Sequence, residues 1–271
     1  MIWLIFDKPD HINKIFLKEE PIMKSTLADK LKKCFVLALI FLAPKFCIGM
    51  YLKNDFGISS LLSIILIFIF MRQYNRPAIA EQKENIKRTS PLMLAGIAIC
   101  SLFMRLAITY FSIKEGTMPV DENWLNVNNI VNVIILSPIV EEMFFRWGLA
   151  ETCISSKTKM HKKVIFIICS ILLWELCHKA LLNITLEIMG LLMILIYLKS
   201  KNITYTIVFH FVSNLVYVLF TSPLQNKLGF LVNSKAALAV NLTVFAVSAA
   251  MILISLFRSS KRTQELVTDT M

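Results

Sequence analysis

The chain has little charge and little glycine for its length. Only 17% of its 271 residues are charged, 56% are hydrophobic, and seven are glycine. A soluble domain of this size would be more polar and would separate its apolar residues by a regular period. Here, apolar runs of about 20 residues, the length that crosses a bilayer as a helix, recur along the sequence. Composition therefore argues against a soluble enzyme and predicts an all-α, polytopic helical membrane protein.

Three further absences narrow the class of protein. The six cysteines have no paired spacing and no CxxC motif, so we expect reduced core residues rather than disulfides. The sequence shows no internal repeat, which predicts one membrane domain. The net charge of +11 comes from basic residues in short segments between apolar runs. That pattern is a membrane topology feature, and no nucleic-acid-binding module is present.

The apolar runs predict eight membrane spans with both termini in the cytoplasm. Under this scheme the cytoplasmic segments hold 21 basic residues and the opposite segments hold five, a strong positive-inside bias. We expect a basic segment at 1–33, a transmembrane domain at 34–258 and a tail at 259–271. An Ile-, Lys- and Asn-rich composition favours a bacterial plasma membrane. The predicted spans are 34–52, 56–71, 91–113, 128–149, 163–178, 184–198, 203–220 and 236–257.

One predicted span carries three ionisable residues within six positions, Glu141, Glu142 and Arg146. Each charged side chain at bilayer depth costs about 2.5–3.5 kcal/mol on insertion scales, so a use for them is expected. Glu142 and Arg146 are four residues apart and share a helix face, whereas Glu141 is rotated by about 100°. We predict a structural ion pair between Glu142 and Arg146 and a reactive carboxylate at Glu141. The alternative is that all three form a structural salt network.

Two later spans contain the other polar groups of interest. His210 and Asn214 lie four apart and share one helix face, and Trp174 lies one turn before His178. Such groups are tolerated together when they face one internal cavity, where Trp174 would line the pocket. Cys177 was considered as a nucleophile, but adjacent helical residues do not face each other, so it does not share the face of His178.

These motifs resemble the CAAX protease and bacteriocin-processing family, also called CPBP or Abi, which includes type II CAAX prenyl endopeptidases. The shared pattern is EExxxR at 141–146, an aromatic residue before His178, and HxxxN at 210–214. Tryptophan at 174 replaces the family's usual phenylalanine. The resemblance covers about 90–220, where it places the protease-like core. It implies an intramembrane endopeptidase acting on a membrane-associated peptide, either a prenylated C-terminus or a bacteriocin-like peptide.

The resemblance also implies roles for the residues. Glu141 would be the general base, since a carboxylate in an apolar cavity is poorly solvated and takes up a proton readily. His178 would help to hold or deprotonate the water, and His210 and Asn214 would donate hydrogen bonds to the oxyanion. Alternatively, Glu141, His178 and His210 form a ligand set that zinc accepts. The sequence lacks HExxH, and we favour no tightly bound metal.

Two other classes of function are alternatives to a protease. A non-proteolytic scaffold or bacteriocin-immunity protein could use the same fold, although the intact motifs argue against it. A transporter would place ionisable groups at the midplane, but its broken half-helices and repeated halves are not indicated in a chain with seven glycines. Three charges near the motifs, Arg105, Glu175 and Glu187, are expected to pair with one another.

Overall fold

The fold is built from helices. A computed structural model describes residues 27–51, 56–116, 127, 130–155, 158–178 and 183–268. Within those ranges every regular element is helical and there is no strand, which confirms the all-α class. Four helical segments are long and apolar enough to cross a membrane, namely Gly57–Tyr74, Pro91–Lys114, Ile203–Thr221 and Lys235–Leu256. The chain is therefore a polytopic helical membrane protein.

The helices follow the predicted spans in order. Each of the eight predicted spans coincides with a helix, and membrane crossing by the four not identified above stays a prediction. The helices are α1 Leu27–Tyr51, α2 Phe56–Tyr74, α3 Arg76–Lys87, α4 Pro91–Lys114, α5 at 130–153, α6 Met160–Cys177, α7 Ile184–Ser200, α8 Ile203–Thr221, α9 Gln225–Leu228 and α10 Lys235–Thr268, with a 3₁₀ turn at Gly229–Leu231 after α9.

The predicted division into segments 1–33, 34–258 and 259–271 stays a prediction, and the helices do not end at these boundaries. Helix α1 begins at Leu27, inside the predicted N-terminal segment. Residues 1–26 lie outside the described part of the chain. At the other end, α10 continues to Thr268, into the predicted tail. In both places a helix extends past the apolar run into polar sequence, because polar residues such as lysine and glutamate are good helix formers.

Helix α5 changes its hydrogen-bonding pattern three times. It runs as a π-helix over Ile130–Leu136, an α-helix over Ser137–Glu142, a π-helix over Met143–Leu149 and an α-helix over Ala150–Cys153. The backbone keeps helical dihedrals at each junction, so this is one continuous helix. π-Turns inside helices occur frequently at functional sites. The α-helical piece between them contains both glutamates.

Close packing places α5 against its neighbours. Phe41 of α1 stacks on Phe144 of α5, with ring centroids 4.3 Å apart. A Cβ at Gly148 would lie 2.7 Å from Leu37 Cδ2, so glycine there permits the close approach of α1. A Cβ at Gly190 of α7 would lie 3.2 Å from Trp174, which limits what can stand opposite this ring. Two of the few glycines therefore lie where helices pack closely, one against α5 itself and one against Trp174 of the site.

The short amphipathic helix α3 was not predicted. It lies in the basic segment 72–90, begins after Asn75 and has Pro77 in its first turn, a position that suits proline. Gln82 of α3 accepts a hydrogen bond from Ile203 N at 3.0 Å, and Asn202 Nδ2 donates to Asn85 O at 2.8 Å. These bonds join α3 to the start of α8, the helix that carries His210 and Asn214.

Candidate active site

Glu141 lies in the α-helical piece of α5 with both carboxylate oxygens held. Its side chain is 7% exposed. Ser137 Oγ, one turn earlier on the same helix, donates to Oε1 at 2.5 Å. Trp174 Nε1 of α6 donates to Oε2 at 2.9 Å. These two donors fix the orientation of the carboxylate, so that Oε2 is presented to α6 and α8.

Both predicted histidines approach the same carboxylate oxygen. His178 Nε2 lies 3.6 Å from Glu141 Oε2, and His210 Nε2 lies 3.9 Å from it. His178 comes from the end of α6 and His210 from the middle of α8. Three helices therefore bring one carboxylate and two imidazoles together, and the sequence alone placed these groups on separate spans.

The other nitrogen of each imidazole has an acceptor as its partner. His178 Nδ1 lies 2.8 Å from Trp174 O, and His210 Nδ1 lies 3.0 Å from Glu142 Oε1. A carbonyl oxygen and a carboxylate oxygen accept hydrogen bonds, which assigns a proton to each Nδ1. When the rings are neutral, both Nε2 atoms then present a lone pair toward Glu141.

Glu142 connects two elements of the site. Arg146 Nη1 lies 3.1 Å from Glu142 Oε1, and the two side chains are 2% and 0% exposed. The same carboxylate oxygen accepts from His210 Nδ1. The Arg146 guanidinium also lies over the Trp174 ring, with Cζ 5.2 Å from the centroid. The pair thus positions His210 directly and Trp174 through a cation–π contact.

Asn214 has a backbone partner that the sequence did not predict. Its Nδ2 donates to Val133 O at 2.8 Å, in the first π-helical part of α5. In an i to i+5 pattern the donor to Val133 O would be residue 138, which is proline and has no N–H. Asn214 supplies the missing donor. One amide hydrogen is therefore used between helices, and the second is left for another acceptor.

The four predicted catalytic residues line one cavity of about 490 Å³. Glu141, His178, His210 and Asn214 all contribute to its wall, as do Trp174 and Arg105. A volume of this size falls in the range of roughly 300–1,000 Å³ typical of ligand pockets. The arrangement can hold a small reacting group between one carboxylate and two imidazoles.

The predicted zinc ligands are Glu141, His178 and His210. Among the described residues, no group of three or more His, Cys, Asp or Glu side chains is arranged to hold a metal ion. Glu141 Oε2, which would be one ligand atom, already accepts a hydrogen bond from Trp174. We therefore derive no step through a metal and include a chelator in the experiment below.

Sequence reasoning missed two features of the site. Ser137 stands four residues before Glu141, a spacing that could have identified it as a donor. Arg105 was expected to pair with Glu175 or Glu187, but the described part of the chain contains no ion pair between Arg105 and either carboxylate. Glu175 instead accepts from Asn183 N at 3.2 Å. Arg105 lines the cavity, beside Tyr217.

The site lies within a stretch that matches a known family. Residues 123–216 match the family model described as "Rce1-like: Type II CAAX prenyl endopeptidase Rce1-like". This match confirms the resemblance found in the sequence and supports protease activity. No curated protein and no solved structure matches the chain. The matched stretch contains all four predicted catalytic residues, whereas Arg105 and Tyr217 lie outside it.

Proposed function

We propose that this chain is an intramembrane endopeptidase that hydrolyses a membrane-associated peptide with Glu141 as general base. The observation that carries the proposal is the approach of His178 Nε2 and His210 Nε2 to Glu141 Oε2, at 3.6 and 3.9 Å. Polar atoms separated by more than about 3.5 Å are suited to a bridging water. A water at this place would contact the base and both imidazoles.

The reaction follows from these contacts. Glu141 takes a proton from the water while the water oxygen bonds to the carbonyl carbon of the scissile peptide bond. His178 orients the water, because its Nδ1 is held by Trp174 O and its Nε2 accepts a hydrogen bond. The carbonyl oxygen becomes an oxyanion. When the intermediate collapses, the C–N bond breaks and Glu141 returns the proton to the leaving nitrogen, giving a carboxylic acid and an amine.

The oxyanion is stabilised from α8. His210 donates from Nε2 when both of its ring nitrogens carry protons, with Nδ1 bonded to Glu142. The second Nδ2 hydrogen of Asn214 is the other donor, since the first is bonded to Val133 O. A single oxyanion donor contributes about 100- to 1,000-fold to the rate in well-studied hydrolases. The Glu142–Arg146 pair has a structural role in this scheme, because it holds His210 without contacting the substrate.

The substrate classes proposed are a prenylated C-terminal peptide and a bacteriocin-like peptide, presented in a bacterial plasma membrane. The family description, a prenyl endopeptidase, supports the first class. Both classes enter the bilayer surface with an apolar group. The cavity lies among apolar helices, which suits a substrate that arrives along the membrane rather than through water.

The test compares Glu141→Gln with Glu187→Gln in liposomes. Glutamine keeps the shape of the side chain and removes the base, so Glu141→Gln should lower cleavage by at least about 100-fold. Glu187 is a half-buried carboxylate on α7 that does not line the cavity, so its variant controls for loss of charge. The peptides are a prenylated C-terminal peptide, its unprenylated form and a bacteriocin-like peptide.

The outcomes separate the alternatives. Loss of cleavage in Glu141→Gln, with cleavage retained in a strong chelator, supports a glutamate-dependent protease. Loss of cleavage both in Glu141→Gln and in the wild type treated with chelator favours a metal held by Glu141, His178 and His210. Cleavage by Glu141→Gln at the wild-type rate contradicts the general-base role. No cleavage of any peptide by the wild type favours the scaffold or immunity function.

A further inference from the structure

Helix α3 connects two helices that are long and apolar enough to cross a membrane, α2 and α4. Asn75 alone separates α3 from α2, and residues 88–90 separate it from α4. Gln82 of α3 also accepts a hydrogen bond from the backbone of Ile203, the first residue of α8, which is a third helix of that kind. Both ends and the middle of α3 are therefore joined to the ends of such helices, so α3 lies along one surface of the membrane.

Positive charge is concentrated on one face of α3. Five residues recur there at helical spacings of three and four, which place them on one side of the helix. We call this side the basic face, and its members are Arg76, Ile79, Lys83, Ile86 and Lys87. The two glutamates of the helix are turned away from Lys83 by about 160° at position 81 and about 100° at position 84. The basic face therefore carries three cations and no carboxylate.

Two cations of the basic face have no carboxylate partner among the described residues. The ion pairs of α3 join Glu84 to Lys87, at 3.7 Å, and to Arg88, at 3.1 Å. No ion pair in the described part of the chain includes Arg76 or Lys83, and both side chains are exposed. The positive charge of this face is thus available to an anion from outside the chain.

The basic face also has an apolar part. Ile86 is 47% exposed, and Ile79 is half-buried. Cationic side chains next to exposed apolar ones are typical of a helix that lies in the headgroup region of a bilayer. There the apolar side chains meet the acyl chains, while the long cationic side chains reach the phosphates. A soluble anion would compensate the charges and leave Ile86 in water, so the pattern favours a lipid.

We propose that α3 binds the headgroups of anionic phospholipids through Arg76, Lys83 and Lys87, with Ile86 at the boundary of the acyl chains. This inference goes beyond the proposed peptidase function and does not depend on it. An anionic membrane surface attracts basic segments that lie next to a membrane span, and α3 is placed there by α2 and α4. Because α3 is hydrogen-bonded to the start of α8, a lipid that orders α3 also stabilises the helix that carries His210.

The first experiment titrates the full-length protein in detergent with phosphatidylglycerol or phosphatidylcholine and counts the bound lipids by native mass spectrometry. The wild type should bind phosphatidylglycerol more tightly. A Lys or Arg near an anionic lipid surface contributes a factor of about five, so Lys83→Gln should weaken phosphatidylglycerol binding about fivefold and Lys83→Gln with Lys87→Gln about 25-fold. The matched control is Arg88→Gln, which removes one exposed positive charge from the other side of α3. Arg88→Gln should weaken binding by less than about twofold.

The second experiment locates the lipid by hydrogen–deuterium exchange of the wild type in nanodiscs of the same two lipids. Amides of α3 and of the first turn of α8 should exchange more slowly in phosphatidylglycerol than in phosphatidylcholine, and this difference should shrink at high salt. Because the comparison is made on the wild type, it does not depend on the folding of a variant.

Three results would overturn the proposal. The first is equal exchange of α3 in the two lipids. The second is an equal loss of phosphatidylglycerol binding in Lys83→Gln and Arg88→Gln, which would indicate attraction by net charge rather than by the basic face. The third is displacement of the lipid by an equal concentration of soluble glycerol phosphate, which would identify a site for free phosphate instead of a membrane contact.

Discussion

The buried ion pair of α5 provides the sharpest test of how the site is held together. Replacing Arg146 by methionine keeps most of the side-chain volume and removes the charge. Glu142, which is 0% exposed, would then be a buried carboxylate whose remaining polar partner among the described residues is His210. Trp174 would also lose the guanidinium that lies 5.2 Å from its ring centroid. The change therefore acts on both histidine-bearing helices at once.

The magnitude follows from the burial of both partners. Removing one member of a fully buried ion pair typically costs about 3–5 kcal/mol, because the other charge is left uncompensated. For a chain of this size, 1 kcal/mol corresponds to about 2–4 °C in Tm. Arg146→Met should therefore lower the apparent Tm by about 10 °C. Accumulation in the membrane should fall in parallel.

The assay is thermal unfolding in detergent at a fixed scan rate, with a double variant as control. Glu142→Gln with Arg146→Met removes both charges, so most of the lost stability should return. If the double variant is as unstable as Arg146→Met, packing rather than charge explains the loss. A single variant that unfolds at the wild-type temperature would refute the structural role of the pair.

Two further predictions concern packing outside the cavity. Asn202, which is 2% exposed, caps α8 by accepting a hydrogen bond from Thr204 N, and its side chain also donates to Asn85 O and Thr89 Oγ1. Asn202→Ala should therefore lower the free energy of unfolding by about 2–3 kcal/mol. The control is Asn183→Ala, which removes an exposed cap and should cost about 1 kcal/mol. Equal shifts in Tm for these two variants would contradict the clamp between α3 and α8. Cys34 Sγ lies 3.2 Å from Cys153 Sγ, so mild oxidation with diamide should join them, as detected by mass spectrometry of linked peptides. Independent alkylation of both thiols after oxidation would contradict the close approach of the two sulfur atoms.

The apolar runs predicted the helices well because a chain segment that crosses a bilayer needs such a run. The backbone N–H and C=O groups of a membrane span must form their hydrogen bonds within the protein, so few structures are possible for a long apolar run. Helix α3 had no such run, and its order comes from bonds to distant residues such as Ile203. Its N-terminal features, Asn75 and Pro77, were visible in the sequence, but its buried face was too short to predict.

The residues of the site could be predicted from the sequence, but the hydrogen bonds between them could not. Helical spacing separated Glu141 from Glu142, and the motifs placed the histidines on other spans. The partners of the two Nδ1 atoms come from a carbonyl at the end of α6 and from a carboxylate of another helix. The partner of Asn214 depends on a π-helical turn before Pro138. These contacts arise from the relative positions of three helices, which no single segment encodes.

The two adjacent glutamates have different roles because they face different nitrogen atoms of one imidazole, that of His210. Glu142 accepts from His210 Nδ1, and Glu141 faces His210 Nε2 at 3.9 Å. In the proposed mechanism Nε2 of this ring donates to the oxyanion while Nδ1 stays bonded to Glu142. Arg146 holds Glu142 in place. We therefore expect the Glu142–Arg146 pair, without contacting the substrate, to determine that Nε2 of His210 faces it.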